Sequence, residues 1–189
     1  QLFRSVKGHL SGHAEMRYVK GVDMSTGSLG QGISAAVGMA LAGKLDQKTY
    51  RTYALLGDGE IEEGQVWEAG MAAAKWHLDN LCAIIDVNGL QIDGPTAQVM
   101  PSEPLDAKWE AFGWHVLHCD GHDLCAISDA LDQAAAYRGK PTMILAKTVK
   151  GKGVSFMENN AGWHGKAPNT EQYEQARAEL EATLKGLEG

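Results

Sequence analysis

The sequence predicts an α/β protein: a parallel sheet with helices on both faces. Short apolar runs that stop at turns containing glycine or asparagine alternate along the chain with longer segments of helical periodicity. The runs carry few polar residues, which is typical of parallel strands that are buried on both faces. Strands that alternate with helices form parallel sheets through crossover connections, so both observations favour one architecture.

The elements follow one another in a regular order. Strands are predicted at residues 52–56, 81–87, 114–118 and 141–148, and helices at residues 31–45, 62–78, 106–112, 123–137 and 170–184. Residues 1–30 and 150–170 are rich in glycine and lack periodicity, so we predict irregular loops there. The helix at residues 62–78 has an apolar stripe that includes His77, and we expect this imidazole to be packed. Asp123 precedes the next helix as a candidate N-cap.

Length and charge limit the classes of protein to consider. The 189 residues fit a single domain, spanning residues 1–189, that can bury a substantial core. The formal net charge of −7 argues against a nucleic-acid or anionic-membrane surface, because both favour clustered lysine and arginine. A phosphate ligand is compatible with this charge, since one cation can dominate locally. The chain begins inside a predicted loop, and we expect an N-terminal portion of the domain to precede it.

Cysteine usage indicates a reducing compartment. The three cysteines, Cys82, Cys119 and Cys125, form no CxxC pair, which argues against a zinc knuckle or a disulfide framework. Reduced thiols are typical of cytoplasmic proteins. No apolar run approaches the ~20 residues of a membrane-spanning helix, and no signal peptide opens the chain. We therefore expect a cytoplasmic protein.

Two polar side chains follow neighbouring predicted strands. Asp58 comes directly after the strand at residues 52–56, and Asn88 follows the strand at residues 81–87. A right-handed crossover between the two strands brings both residues to the carboxyl edge of the sheet, where open α/β sheets bind ligands. A carboxylate and an amide oxygen suit Mg²⁺ or Ca²⁺, which share their remaining positions with phosphate and water.

The glycines beside Asp58 fit a phosphate ligand. Gly57 and Gly59 allow a sharp turn and a close approach of the backbone. The helix predicted to begin at residue 62 would place free N–H groups near an anion. Each tripeptide alone is more typical of an ordinary turn. Their joint spacing, with each piece ending an apolar strand, favours the binding site.

Several ordered motifs resemble one family. The GDG at residues 57–59, 28 intervening residues and then Asn88 resemble a thiamine diphosphate fingerprint. Around it, five segments resemble transketolase specifically: STGSLGQG (25–32), GDGEIEEGQVWEA (57–69), DVNGLQIDG (86–94), KGKGV (150–154) and WHGKAP (163–168). The resemblance covers about residues 9–168, nearly the whole chain. It implies a thiamine-diphosphate-binding fold.

The resemblance also implies a cofactor site. Asp58, Asn88 and the backbone carbonyl of Leu90 would hold the metal ion with the diphosphate. The loop of Gly27, Ser28 and Leu29 would lie along the aminopyrimidine of the cofactor. From the residues alone, this glycine-rich loop could equally be a structural turn before a packed helix, and its spacing is not the dinucleotide-binding GxGxxG.

Two histidines and two glutamates match further positions of the family. His13 in GHAE and His164 in WHGKAP resemble histidines near the reacting carbon and the sugar hydroxyls, although a solvated loop histidine is the simpler alternative. The family usually has proline where this chain has Ala14, which loosens the match at His13. Glu63 and Glu68 resemble glutamates at the subunit interface that links two active sites, and their spacing alone indicates exposed helix-surface carboxylates.

The implied activity is the transfer of a two-carbon ketol unit from a ketose phosphate to an aldose phosphate. Enzymes of this family activate the cofactor with a glutamate from a separate pyrimidine-binding domain, and some are split between two polypeptides. The resemblance therefore implies a dimer of heterodimers that includes a separate C-terminal subunit. The alternatives are a 1-deoxyxylulose-5-phosphate synthase, a non-catalytic cofactor-binding subunit, or a dinucleotide-binding oxidoreductase, the last disfavoured because no GxGxxG follows a strand.

Overall fold

The computed structural model describes residue 8 and residues 11–187. Residues 1–7, 9 and 10 of the predicted N-terminal loop therefore lie outside the described residues. The helices are α1 (Gln31–Leu45), α2 (Gly64–Lys75), α3 (Thr96–Val99), α4 (Leu105–Ala111), α5 (Leu124–Ala136) and α6 (Thr170–Leu187). The strands are β1 (Thr52–Gly57), β2 (Leu81–Val87), β3 (Leu90–Gln91), β4 (Gly94–Pro95), β5 (His115–Asp120) and β6 (Thr142–Lys147). None of the helices in this part of the chain is long and apolar enough to cross a membrane.

Four strands form the central sheet, in the order β1-β2-β6-β5. All three strand pairs are parallel, and Leu56 lies opposite Ile85 in the first of them. The short strands β3 and β4 form a separate antiparallel hairpin. The predicted α/β fold with a parallel sheet is therefore confirmed.

Helices cover both faces of this sheet. One face packs against α1, α2 and α4, and its core includes Ile33, Val66, Trp109 and Ile85, each fully or almost fully buried. The other face packs against α5, where Ala130 and Ala134 contact a smaller cluster. Alternate residues of a strand point to opposite faces, so β2 contributes to both cores. Burial of these strands on two sides explains why their sequences are almost continuously apolar.

Helices leave one face of β1 largely uncovered. Tyr53 and Leu55 are 51% and 74% exposed, although both belong to a central-type apolar run. They point to the α5 side of the sheet, whereas α5 contacts β5 and β6. Within the described residues, β1 pairs only with β2 and thus forms one edge of the sheet.

Predictions at two helix ends have different outcomes. Asp123 caps α5 as expected: its Oδ1 accepts hydrogen bonds from the N–H groups of Cys125 at 2.8 Å and Ala126 at 3.2 Å. The prediction that His77 is packed is wrong, because α2 ends at Lys75 and His77 lies in the following turn with a φ of 47°. Its side chain is exposed there. Because the helix ends before His77, the apolar stripe does not predict the orientation of its side chain.

Two further boundaries differ from the sequence prediction. A 3-10 turn at Glu60–Glu62 separates Asp58 from α2, which begins at Gly64 instead of residue 62. The N-terminus of α2 therefore does not directly follow the GDG turn. The strand predicted at residues 114–118 is β5 at His115–Asp120. The hairpin of β3 and β4 has strands of two residues each, too short for a periodic pattern to reveal.

Gly70 of α2 permits close packing against Trp109 of α4. A Cβ atom at this position would lie 2.7 Å from the Trp109 ring, and the Gly70 carbonyl accepts a hydrogen bond from Trp114 Nε1 at 2.9 Å. Because Trp109 is fully buried, we expect Gly70→Ala to lower the free energy of unfolding by about 1–3 kcal/mol in urea titrations. The control Gly38→Ala, in an open part of α1, should raise it by ~0.5–1 kcal/mol. Equal effects of the two substitutions would contradict this packing argument.

Candidate functional site

The two predicted metal ligands lie at one edge of the sheet. Asp58 follows the last residue of β1, and Asn88 follows the last residue of β2. The two strands are parallel neighbours, with Gly57 opposite Asp86 at their carboxyl ends. The Asp58 N–H also donates to the Asp86 carbonyl oxygen at 3.3 Å, which extends the pairing beyond β1. The structure therefore places the Asp58 and Asn88 segments side by side.

Asp58 carries a buried carboxyl group. Only 3% of the residue is exposed, and this burial raises the pKa of its carboxyl above the ordinary value, with a further contribution from the nearby Asp86 charge. Backbone N–H groups oppose the shift, and the strongest of them is that of Gly89, which donates to Asp58 Oδ2. No ion pair with Asp58 occurs in the part of the chain that the structure describes. A bound cation would supply the missing positive charge.

The segment after β2 presents oxygen atoms to the same edge. Asn88 Oδ1 accepts a hydrogen bond from the Leu90 N–H at 3.0 Å. Leu90 lies opposite Pro95 in the hairpin. The neighbouring pair, Gly89 and Thr96, is hydrogen-bonded, with the Thr96 N–H donating to the Gly89 carbonyl oxygen. Bonded and non-bonded pairs alternate along an antiparallel ladder, so the Leu90 carbonyl points away from β4. It is thus free of the hairpin partner and available as a ligand.

The hairpin also packs closely against the GDG turn. Gln91 Nε2 donates to both carboxylate oxygens of Glu62 at 2.8 Å, which joins β3 to the 3-10 turn. A Cβ at Gly59 would approach the Gln91 Cβ to 2.9 Å, closer than carbon atoms pack. Glycine at position 59 is therefore needed for this close approach of two backbones.

A cavity of about 550 Å³ lies between two loops at the start of α1. Residues 11–15 form one wall, and residues 24–28 with the start of α1 form the other. His13, Gly27 and Ser28 line the cavity together. His13 packs directly on Gly27, where a Cβ would lie 2.5 Å from the imidazole Cδ2. Leu29 is not part of this lining, and its side chain is 55% exposed.

One carboxylate that was not predicted from the sequence connects the two clusters. Glu60 Oε1 accepts a hydrogen bond from the Gly30 N–H at 3.0 Å, and Oε2 accepts one from the Gly57 N–H at 3.1 Å. Gly30 ends the loop of Gly27, Ser28 and Leu29, whereas Gly57 immediately precedes Asp58. The only signal for this contact in the sequence is an acidic residue directly after GDG.

Three other predicted residues lie outside these clusters. His164 follows a 3-10 turn at Ala161–Trp163, is exposed, and does not line the cavity that His13 shares with Gly27. Glu63 and Glu68 are both exposed, Glu63 directly before α2 and Glu68 on its outer side. A Cβ at Gly30 would lie 2.9 Å from the Glu63 Cβ, so Glu63 is also close to the end of the loop at residues 27–30.

The residues present fit a metal–diphosphate group. Within the described residues, no cluster of three histidine, cysteine or acidic side chains could hold a metal ion by itself. One buried carboxylate, one amide oxygen and one free carbonyl leave positions for phosphate oxygens, as Mg²⁺ sites commonly do. The observation that supports this fit is the Asp58 carboxylate, which is buried and forms no ion pair among the described residues.

Comparisons with known proteins identify the family. The family model described as "Transketolase, thiamine diphosphate binding domain" matches residues 1–184. A subunit of a 6-deoxy-6-sulfo-D-fructose transketolase from Clostridium sp. (strain MSTE9) is 51% identical over 91% of this chain and 62% of its own length. A subunit of an apulose-4-phosphate transketolase from Phocaeicola vulgatus is 46% identical over 95% of this chain and 63% of its own length. The chain thus spans a little under two thirds of these curated relatives.

Solved structures support the same relationship. The crystal structure of transketolase from Campylobacter jejuni superposes with a TM-score of 0.85 and 35% identity, over 94% of this chain and 29% of that one. A transketolase from Pichia stipitis in complex with sedoheptulose 7-phosphate superposes with a TM-score of 0.83 and 34% identity, over 94% of this chain and 28% of that one. These matches confirm the resemblance inferred from the motifs, and the chain belongs to the transketolase family as a thiamine diphosphate-binding domain.

Proposed function

We propose that this chain is the diphosphate-binding half of a transketolase. It would take part in transfer of a two-carbon ketol unit from a ketose phosphate to an aldose phosphate, such as from xylulose 5-phosphate to ribose 5-phosphate. The observation that carries the proposal is the buried, uncompensated carboxylate of Asp58 at the edge where the Asn88 segment also ends. The family match favours this activity over a 1-deoxyxylulose-5-phosphate synthase or an oxidoreductase.

The metal ion in this proposal is Mg²⁺ or Ca²⁺. Asp58, Asn88 and the Leu90 carbonyl would supply its protein ligands. The backbone of Gly57 and Gly59 would contact the diphosphate: the place of a Cβ at Gly57 is open, with the nearest atoms 4.0 Å away, whereas the place of a Cβ at Gly59 is taken by Gln91. The support is the burial of Asp58 and the outward direction of the Leu90 carbonyl.

The loop at residues 27–29 would position the other end of the cofactor. Gly27 and Ser28 line the cavity at the start of α1, and the Leu29 backbone continues along the same loop. When bound, thiamine diphosphate supplies the nucleophilic carbon and the electron sink for cleavage of a carbon–carbon bond. His13 would hydrogen-bond a sugar hydroxyl from the cavity wall. His164, on the long loop that follows the carboxyl end of β6, would exchange a proton with the substrate oxygen.

We further propose a dimer of heterodimers in which a separate C-terminal subunit carries the pyrimidine-binding domain. The relatives from Clostridium and Phocaeicola are named as transketolase subunits, which supports a partner. The exposed surface beside the site is partly apolar: Leu29 and Met71 are 55% and 51% exposed, near Glu63 and Glu68 respectively. Apolar residues rimmed by charges are typical of an association surface. The three free cysteines support a cytoplasmic location, which we also propose.

Assays with and without the partner test this function. We expect the purified chain alone to be inactive in ketol transfer, even with Mg²⁺ and thiamine diphosphate. Half of the cofactor would face water, and water exclusion protects reactive centres of this kind. Addition of the C-terminal subunit should produce turnover of xylulose 5-phosphate and ribose 5-phosphate, measured as sedoheptulose 7-phosphate formed.

Two outcomes would contradict the proposal. Full turnover by the isolated chain would exclude a split active site. Cofactor binding without activity in the presence of the cognate partner would favour a non-catalytic cofactor-binding subunit. A parallel assay with pyruvate and glyceraldehyde 3-phosphate serves as the control, and it should give no 1-deoxyxylulose 5-phosphate.

A further inference from the structure

Glu60 links two segments of the site that are 27 residues apart in the sequence. Its two carboxylate oxygens accept one hydrogen bond each, from the N–H groups of Gly30 at 3.0 Å and Gly57 at 3.1 Å. Both contacts are partly buried. Hydrogen bonds to an ionised carboxylate are shorter and stronger than those between neutral groups. One side chain therefore holds the end of the loop at residues 27–30 against the end of β1.

The two ends of this link differ in how firmly they are held otherwise. Gly57 belongs to β1, where it pairs with Asp86 of β2, so the sheet fixes its position. Gly30 is the N-cap residue of α1, with a φ of 80° and no side chain of its own to cap the helix, and its N–H donates to Glu60. Loss of the Glu60 carboxylate should therefore release the loop at residues 27–30 and leave the strand end in place.

The negative charge of Glu60 has an energetic cost beside a diphosphate. A carboxylate next to a diphosphate site repels the anion, and an uncharged side chain would avoid that repulsion. The two N–H donors neutralise part of the charge. Only a group with two acceptor oxygens can bind both N–H groups in this way, since glutamine presents one acceptor and one donor.

We propose that Glu60 is a positioning residue for thiamine diphosphate. It holds the loop of Gly27, Ser28 and Leu29 at a fixed distance from the metal-binding turn, so that one cofactor contacts both. The inference rests on the proposed cofactor site. In this proposal Glu60 sets the distance between the two ends of that site and does not contact the reacting atoms.

The variant Glu60→Gln tests this role because it keeps the size of the side chain and removes one acceptor. Amide exchange of Gly30, followed by NMR, should become about 10- to 100-fold faster, as loss of a hydrogen bond to a charged group predicts. Exchange at Gly57 should change less. By calorimetry with Mg²⁺, the Kd for thiamine diphosphate should rise by about 10-fold or more. The Kd for inorganic diphosphate should stay within about 2-fold, because this probe does not reach the loop.

Glu179→Gln is the matched control. Glu179 also accepts a backbone N–H, that of Ser155 at 2.7 Å, and it lies on α6. It should leave both dissociation constants and the Gly30 exchange rate unchanged. Unchanged Gly30 exchange in Glu60→Gln would overturn the proposal, as would faster exchange with an unaltered thiamine diphosphate Kd. Equal weakening of both ligands would also overturn it, because a general loss of stability would then explain the effect. Failure of the unsubstituted chain to bind thiamine diphosphate in the complex with the C-terminal subunit would instead refute the cofactor site itself.

Discussion

Asp58→Ala is expected to abolish metal-dependent binding of thiamine diphosphate. Asp58 is the one anionic protein ligand in the proposed metal shell, and its carboxylate is almost completely buried. Loss of groups that only support a metal ligand commonly costs 10–100-fold in metal affinity, so loss of the ligand itself should cost more than ~100-fold. Calorimetry of the chain with cofactor and Mg²⁺ measures this effect. Asn88→Ala should weaken binding less, because it removes a neutral ligand.

The fold should survive this substitution. Asp58→Ala removes a carboxyl group whose charged form is disfavoured by burial, but it also removes the acceptor for the Gly89 N–H, so the two effects on the free energy of unfolding without cofactor should largely cancel. Asp132→Ala, at an exposed carboxylate on α5, is the control and should leave cofactor affinity unchanged. A Kd for Asp58→Ala equal to that of the unsubstituted chain with Mg²⁺ present would refute the metal assignment.

His164→Ala is expected to lower kcat for ketol transfer by about 10²–10⁴-fold in the complex with the C-terminal subunit. This is the range typical of a positioned acid–base group. The Kd for thiamine diphosphate should change little, because His164 lies on a different loop from Asp58 and from residues 27–29. Steady-state kinetics with xylulose 5-phosphate and ribose 5-phosphate, together with calorimetry, separate the two effects.

His118→Ala provides the comparison for His164. His118 is exposed on β5 and has no proposed role in the site, so its replacement should leave kcat unchanged. If His164→Ala retains full kcat with every ketose phosphate tested, the assignment to the reacting oxygen is wrong. If it loses cofactor affinity in proportion to kcat, His164 acts on the cofactor and not on the substrate.

The strands were the most predictable part of the fold. Each apolar run was long enough to show burial, and each stopped at glycine, asparagine or another turn residue, so β2 was predicted to the residue. The start of α2 was not, because Glu60–Glu62 has helical composition but adopts a tighter 3-10 turn. The error at His77 has a related cause. Periodicity indicates a face only while the helix continues, and α2 ends two residues earlier.

The part of the site formed by residues of one local β-α-β unit was predictable from the sequence. Asp58 and Asn88 belong to one β-α-β unit, and the handedness of its crossover determines that both reach the same edge. Contacts between loops depend on side-chain packing that no periodic pattern encodes. The packing of His13 on Gly27 and the link from Glu60 to Gly30 are of this kind. Family motifs indicated the residues of the first contact, and the only signal for the second was an acidic residue directly after GDG.

The uncovered outer part of β1 affects how the isolated chain behaves at high concentration. An edge strand presents unpaired N–H and C=O groups, and Tyr53 and Leu55 add exposed apolar surface beside them. Edges of this type recruit further strands, and aggregation follows when nothing covers them. Neither β1 nor its exposed face carries a charged side chain to oppose such pairing, since residues 52–57 contain none. Nothing in the described part of the chain covers this edge, so the isolated chain is expected to self-associate through β1, independently of the cofactor site.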